Sequence, residues 1–419
     1  MGTAGRTISV FAGGLRPTGR LDGRFFLREA TGALGDIGTF VPIVIGLVVF
    51  VGMDAATIFV FAGLMNIVSG LVFRIPVPVQ PMKAIAALAI AGAMTASQVS
   101  IAGMFVAICL LFLAIFGLIR QLDRVIPRTV LRGIQLAVAI QLMLKGAALG
   151  LLNGRGGTLV NLWGTEGLIV MAIAIAVLIC SHGRWQWAGL GLVVLGVTVA
   201  VIGHPALLTT WQITFWRPGV ISFGDKAIGG VWRGGIAQLP LTLLNSVLVV
   251  SLLAEKLFPD VKKKPVPTKF ALSVGLMNLF TIPFGAMPAC HGSGGLSGQY
   301  CFGARTGLSM VMLGMVKLLV GLLFGAVALG WMHAFPITVL GAFLILAGIT
   351  LAQASEFWLR RTDIIVAPVT AGIYLVTKNL LVGFATGYVV YLLMSRFTSP
   401  QMPVKGLVSL DSPAKEDAS

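Results

Sequence analysis

The residues whose types and spacing could do chemistry fall in two short stretches. The first, R-I-P-V-P-V-Q-P-M-K-A-I from Arg74 to Ile85, interleaves Gln80, Met82 and Lys83 with three prolines, Pro76, Pro78 and Pro81. Each proline lacks a donor N–H and pushes the residue before it out of helical geometry, so the backbone is extended here and a helix starts near Met82. The second, F-G-A-M-P-A-C-H-G-S-G-G from Phe284 to Gly295, places His291, Gly292, Ser293 and Gly294 behind Pro288. Its glycines permit close backbone approach, and a second helix is predicted from Ser293. Two helix N-termini facing each other concentrate unpaired N–H donors and about half a positive charge each, which is the chemistry of an anion site. No nucleophile with a base and no metal-spaced cluster is visible, so neither a catalytic residue, a metal nor a cofactor is expected.

The elements that must position these stretches are membrane spans. The chain is 57% hydrophobic and 11% charged, against roughly 25% charged in a soluble domain. Its net charge of +16 sits in short clusters between apolar segments without aromatic interleaving, which excludes a nucleic-acid partner and fits cytoplasmic loops. The four cysteines, Cys109, Cys180, Cys290 and Cys301, lie in or beside apolar segments and are expected as free thiols. Residues 1–28 carry arginines but no long apolar core, and are expected as a cytoplasmic tail and not a secretory signal.

About 14 apolar segments follow at helical length, near 38–53, 56–73, 82–96, 99–119, 128–148, 166–181, 187–203, 235–254, 267–285, 293–304, 308–331, 337–353, 363–377 and 379–395. The third and tenth are too short to span alone and are expected as half-helices completed by extended backbone, which a membrane tolerates only inside protein or along a cavity. With the N-terminus cytoplasmic, Arg74, Arg120, Arg124, Arg128, Arg132, Lys256, Lys262, Lys263, Lys264 and Lys269 fall inside, while Lys83 and Lys317 remain within the membrane. That asymmetry follows the positive-inside rule.

The chain also repeats itself. Gly63, Leu64, Met65 and Asn66 recur as Gly275, Leu276, Met277 and Asn278, and the same displacement carries Pro76 onto Pro288. Matching breaks in two halves are the pattern of repeated transporter folds, and an odd number of spans per half makes the halves inverted. The expected fold is an all-α membrane protein of two inverted seven-span repeats, 29–203 and 235–396, joined by an extracytoplasmic loop at 204–234 and followed by a cytoplasmic tail at 397–419. The reading places it in the cell membrane with both termini cytoplasmic.

Three stretches, Gly32 to Pro42 (G-A-L-G-D-I-G-T-F-V-P), Pro78 to Ala86 (P-V-Q-P-M-K-A-I-A) and Ala289 to Gly307, closely resemble signature stretches of the molybdate transporter family, a branch of the sulfate permease superfamily. The resemblance covers nearly the whole chain. It implies the seven-plus-seven fold of sulfate and uracil permeases, with a core domain (spans 1–4 and 8–11) moving against a gate domain (spans 5–7 and 12–14). It also implies molybdate as substrate, with sulfate as close relative and tungstate as a possible competitor, and a homodimer as in the wider superfamily.

Residues near the breaks carry alternatives. Lys83 meets substrate, or pairs with a carboxylate. Gln80 meets substrate, or satisfies backbone freed by the prolines. His291 contacts substrate directly or through a neighbour, or packs. Asp36 is a natural N-cap for the first span, with a proton- or cation-coupling role as the alternative, and Glu29 is the other acid nearby. Thr39, Gln238, Thr242 and Asn245 lie on the first and eighth spans as substrate ligands or as packing groups. Lys317 is expected to pair within the bundle. A secondary transporter working by alternating access is the leading function. A sulfate or other small-oxyanion permease is the runner-up, followed by an anion channel of the same fold and, last, a membrane enzyme. No Walker-type phosphate loop is present, which argues against ATP hydrolysis.

Overall fold

The computed structural model describes residues 23–119, 121, 127–150, 185–209, 212–224, 226–259, 266–353, 361–377 and 380–397. The predicted sixth span, 166–181, and most of both tails lie outside them. The other thirteen predicted spans are all present as helix. A short helix α1 (Gly23–Ala33) leads through a 3-10 turn (Leu34–Asp36) into α2 (Ile37–Val51), followed by α3 (Ala55–Phe73). The half-helix α4 (Lys83–Ile90) then precedes α5 (Ala96–Ile115), α6 (Arg128–Gly150) and α7 (Trp185–Gly203). The second half runs α8 (Val231–Leu257), α9 (Pro267–Thr281), the half-helix α10 (Ser293–Cys301), α11 (Leu308–Ala334), α12 (Ile337–Gln353), α13 (Arg361–Thr377) and α14 (Leu380–Phe397).

Local chemistry sets several ends. The Asp54 carboxylate accepts the Thr57 N–H at 2.7 Å to start α3, and Thr95 with Gln98 forms a capping box on α5. Arg74 stops α3 by turning left-handed at φ 61°, and the proline run follows. The N-cap reading of Asp36 is corrected here. It occupies the cap position of α2, but its side chain makes no capping bond; the carboxylate accepts from Gln80 instead. The eighth span is longer than predicted and carries π-helical turns at Val231–Gly235 and Thr242–Val249 on either side of Pro240, which cannot donate to the preceding turn.

Inversion of the halves is visible in the packing. Helix α3 lies along α11, and the equivalent of that pair with halves exchanged, α9 along α5, is also formed. Glycines let the first pair approach: Gly63 and Gly70 on α3 meet Gly314 and Gly307, and Gly321 meets Ala56 and Val60, the glycines of each helix region being spaced by seven residues. A Cβ on Gly63 would stand 2.6 Å from the Leu318 nitrogen and 2.7 Å from the Gly314 oxygen. Helix α6 packs against α12 and α13, and α13 against α14. Outward faces stay apolar, with Leu64, Val68 and Val72 on α3 and Phe112 and Ile115 on α5 exposed. Continuous apolar exterior of this kind suits lipid and not water.

Near its far end α11 kinks at Phe324. The carbonyls of Leu322 and Leu323 are taken by the N–H groups of Trp216 (3.0 Å) and Thr214 (2.9 Å), so the long loop docks on the kink.

Candidate anion-binding site

The two proline breaks meet. Gln80–Pro81 and Ala289–Cys290 form a two-residue antiparallel ladder, Gln80 opposite Cys290 and Pro81 opposite Ala289. The Met82 N–H extends it by donating to the Pro288 carbonyl at 2.9 Å. Extended backbone in a membrane needs internal partners, and each break has its own. Ser69 Oγ donates to the Val77 carbonyl at 2.8 Å. Asn278, the last residue of the repeated G-L-M-N, donates to the Ala289 carbonyl at 2.6 Å and accepts its N–H at 2.8 Å. His291 ties the halves together: its ring nitrogens lie 2.9 Å from the Pro78 carbonyl and 2.9 Å from Ser273 Oγ. It is fully buried and meets edge-on the stacked rings of Phe73 and Phe270. With both ring nitrogens bonded to protein, His291 braces the Pro78 backbone against the ninth span.

The two half-helices start from opposite ends of this one short ladder, and the two starts are not equally bare. Gln238 Oε1 accepts the N–H groups of Ala84 (2.9 Å) and Ile85 (3.2 Å), while its Nε2 donates to Thr242 Oγ1 at 2.8 Å. The eighth span therefore caps the α4 half-helix, which corrects the expectation that both ends present open donors. Lys83, the first residue of α4, is half-buried, and among the described residues no carboxylate lies within ion-pair distance of it. The α10 end has no side-chain cap. Gly292 is buried, Ser293 half-buried and Gly294 exposed, and a Cβ on Gly294 would meet nothing within 4 Å. Gln80 is buried against this end: a Cβ on Gly292 would overlap its Oε1, and one on Gly295 would overlap its amide too. Met82 is buried at the α4 cap.

Other predicted residues sit further back. Asp36 is fully buried, accepts from Gln80 Nε2, and has Lys317 Nζ 3.9 Å from its Oδ2. Lys317 also donates to Asn66 Oδ1 at 3.0 Å and rests 3.4 Å above the Phe40 ring, which supplies the pairing partner the sequence did not reveal. Glu29 is occupied elsewhere, accepting the N–H groups of Arg305 (3.0 Å) and Thr306 (3.1 Å) ahead of α11. Burial pushes its carboxyl above the usual range, opposed by those amide bonds. Thr39 lies in the first turn of α2 and its side chain is outside the described residues, and Asn245 is half-buried on the π-helical turn of α8. Cys109 and Cys290 are free thiols. Sequence reasoning missed Ser69, Ser273 and Asn278 as the groups that hold the breaks; the repeat pointed at Asn278 without giving its partner.

A separate cavity of about 940 Å³ opens at the end of the bundle that carries the 204–234 loop, lined by Asp54, Thr57, Thr95, Ser97, Trp216 and Arg217 among others. Phe284 and Gly285, at the entrance of the second break, line it, but Gln80, Lys83, His291 and Ser293 do not.

Known proteins bear directly on this geometry. The fold is similar to the transmembrane domain of a cyanobacterium bicarbonate transporter BicA, with a TM-score of 0.62 at 15% identity over 88% of this chain and 98% of that one. It is also similar to the murine anion transporter Slc26a9 in its inward-facing state, with a TM-score of 0.64 at 12% identity over 95% of this chain and 72% of that one. These likenesses establish the sulfate-permease type of fold. In sequence, the chain is 36% identical over 406 residues to Molybdate transporter 2 of Arabidopsis thaliana, covering 87% of each. It is 34% identical over 467 residues to Molybdate transporter 1 of Chlamydomonas reinhardtii, covering 86% of this chain and 90% of the relative. The profile of the family described as "Molybdate transporter of MFS superfamily" matches residues 28–142 and 230–351, the segments that build both breaks and their supports. With the profile across both halves and relatives aligned over most of its length, this chain belongs to the molybdate transporter family.

Proposed function

We propose that this protein is a secondary transporter that imports molybdate by alternating access, holding the anion between the starts of α4 and α10. The observation that supports the reading is the antiparallel pairing of the two breaks, from which the Lys83 end of α4 and the uncapped start of α10 both begin. An oxyanion there trades its hydration for the N–H groups at Ser293 and Gly294, the Ser293 hydroxyl and the Lys83 ammonium. Gln238 fixes the α4 half-helix to the eighth span, and His291 fixes the α10 break to Pro78 and the ninth span. Asn245 on the eighth span completes the wall.

Access alternates as spans 1–4 and 8–11, which carry the breaks, slide against spans 5–7 and 12–14. The N-terminal tail and the loop after α3 face the cytoplasm in this reading, and the 204–234 loop faces outward. A dianion entering a negative interior costs about 2.3 kcal/mol per charge per 100 mV, so uptake needs a coupled cation, with Asp36 and Glu29 as the acids available near the spans.

The test is competition of labelled molybdate by sulfate, tungstate and selenate on purified protein. Displacement by tungstate at similar concentration and by sulfate only in excess supports the reading. Equal displacement by sulfate would instead indicate a general oxyanion permease, and no molybdate binding would end it.

A further inference from the structure

We propose that Asp36 binds the coupled proton, and that the Gln80 amide, by turning over between Asp36 and the start of α10, makes proton and oxyanion bind together. This deepens the transport reading above and rests on it.

Three contacts carry the inference. Asp36 is fully buried, and one of its oxygens accepts from Gln80 Nε2. The same amide lies against α10, its oxygen towards Gly292 at the open start of the helix and its nitrogen towards Gly295 further in. The other carboxylate oxygen faces Lys317 Nζ at 3.9 Å, a loose pair in which the ammonium is held chiefly by Asn66 and the Phe40 ring. One side chain thus touches the acid on one side and the anion's helix on the other.

A carboxylate can only accept, so an ionised Asp36 obliges Gln80 to spend its NH₂ on the acid and turn its carbonyl oxygen towards α10. That is the observed arrangement, and it presents the wrong polarity to an anion. When a proton from water joins the carboxylate, its O–H donates to the amide oxygen. The amide turns over, and its NH₂ faces the α10 end as a further donor. Gly292 and Gly295 flank the amide closely, and a Cβ at either would overlap it, so the lack of side chains there is what lets the amide lie in this place. Charge acts in the same direction. Protonation leaves Lys317 without its counter-charge in a low-dielectric interior, a cost that an arriving oxyanion offsets. Binding linkage is reciprocal, so the anion favours the proton equally.

Other charged or titratable groups on the elements packed against Asp36 include Lys83 on α4, Cys290 in the second break, Tyr300 on α10, and Arg24, Arg28 and Glu29 on α1. Glu29 is held by the Arg305 and Thr306 amides, and both arginines are exposed. Among the described residues Lys317 is the group in ion-pair range.

The experiment binds molybdate to purified full-length protein in weakly buffered solution, recording proton uptake directly, and measures affinity at about pH 6 and pH 8. The expected result is uptake approaching one proton per molybdate, with binding weakening by up to about ten-fold per pH unit where Asp36 ionises. In Asp36→Asn, which imitates the protonated acid, proton uptake vanishes and the affinity at pH 8 rises towards the wild-type value at pH 6. Should that variant fail to fold with Lys317 uncompensated, Asp36→Asn combined with Lys317→Met removes both charges and is predicted to bind without pH dependence. Wild-type binding with no proton uptake, or a variant that keeps the wild-type pH dependence, overturns the proposal alone. Absence of molybdate binding at either pH overturns the transport reading with it.

Discussion

Gln238 gives the sharpest separation of folding from recognition. Its Oε1 accepts two backbone N–H groups, at 2.9 and 3.2 Å, in a buried place. Gln238→Ala deletes both bonds at a net cost of about 0.5–1.5 kcal/mol each, so roughly 1–3 kcal/mol of stability is lost. Gln238→Glu keeps both acceptors, and a carboxylate holding two amide N–H groups stays ionised. The glutamate variant therefore folds, but it brings a negative charge to the substrate's neighbourhood. For an illustrative separation of ~8 Å, a dianion repels a unit charge by about 4 kcal/mol at an effective dielectric of 20. Affinity should fall by about 10²- to 10³-fold with little change in melting temperature. Isothermal titration with molybdate and a thermal melt on each variant read the two effects separately. If Gln238→Glu melts like wild type and binds molybdate within three-fold of it, the anion does not rest beside α4.

Other perturbations follow from the same geometry. Lys83→Ala should weaken oxyanion binding at least ten-fold while expression holds; wild-type affinity in a filter-binding assay would remove the lysine from the site. Gly294→Trp projects into open space, so the protein should fold yet fail to bind, and unaltered uptake in vesicles would mean that substrate rests elsewhere. Gly63→Leu forces a side chain onto the backbone of Gly314 and Leu318 and should abolish the folded protein in a detergent melt, whereas Leu64→Ala on the exposed face should not. Glu29→Gln exchanges a charged acceptor of the Arg305 and Thr306 amides for a neutral one, with an expected loss of about 1–2 kcal/mol in the same melt.

Where the chain breaks was legible because proline chemistry is local: Pro76, Pro78 and Pro81 crowd one short stretch and Pro288 sits among glycines, whereas a lone Pro240 is absorbed inside a helix. Span positions were legible for a similar reason, since a bilayer demands apolar length. Partners across the sequence were not. Gln238 is separated from Ala84 by 154 positions and Lys317 from Asn66 by 251, and no periodicity reports such contacts. Asp36 was misread as a cap because its place before a helix is a strong local signal, while the competing Gln80 amide arrives from the third span. The glycines at spacing seven on α3 and α11 were in plain view, and their meaning depended on knowing that these two helices touch. His291 had the right neighbourhood but an unreadable orientation, since only the fold reveals Ser273 and the Pro78 carbonyl on its two nitrogens.

Central to the account is an anion held where the two breaks pair. A density map of the purified protein with molybdate bound tests it most directly, because molybdenum scatters far more strongly than protein atoms. The account predicts a compact peak within hydrogen-bond reach of the Ser293 and Gly294 amides and close to the Lys83 ammonium. A molybdenum peak in the outer cavity beside Arg217 and Trp216, with the space between α4 and α10 empty, would contradict it.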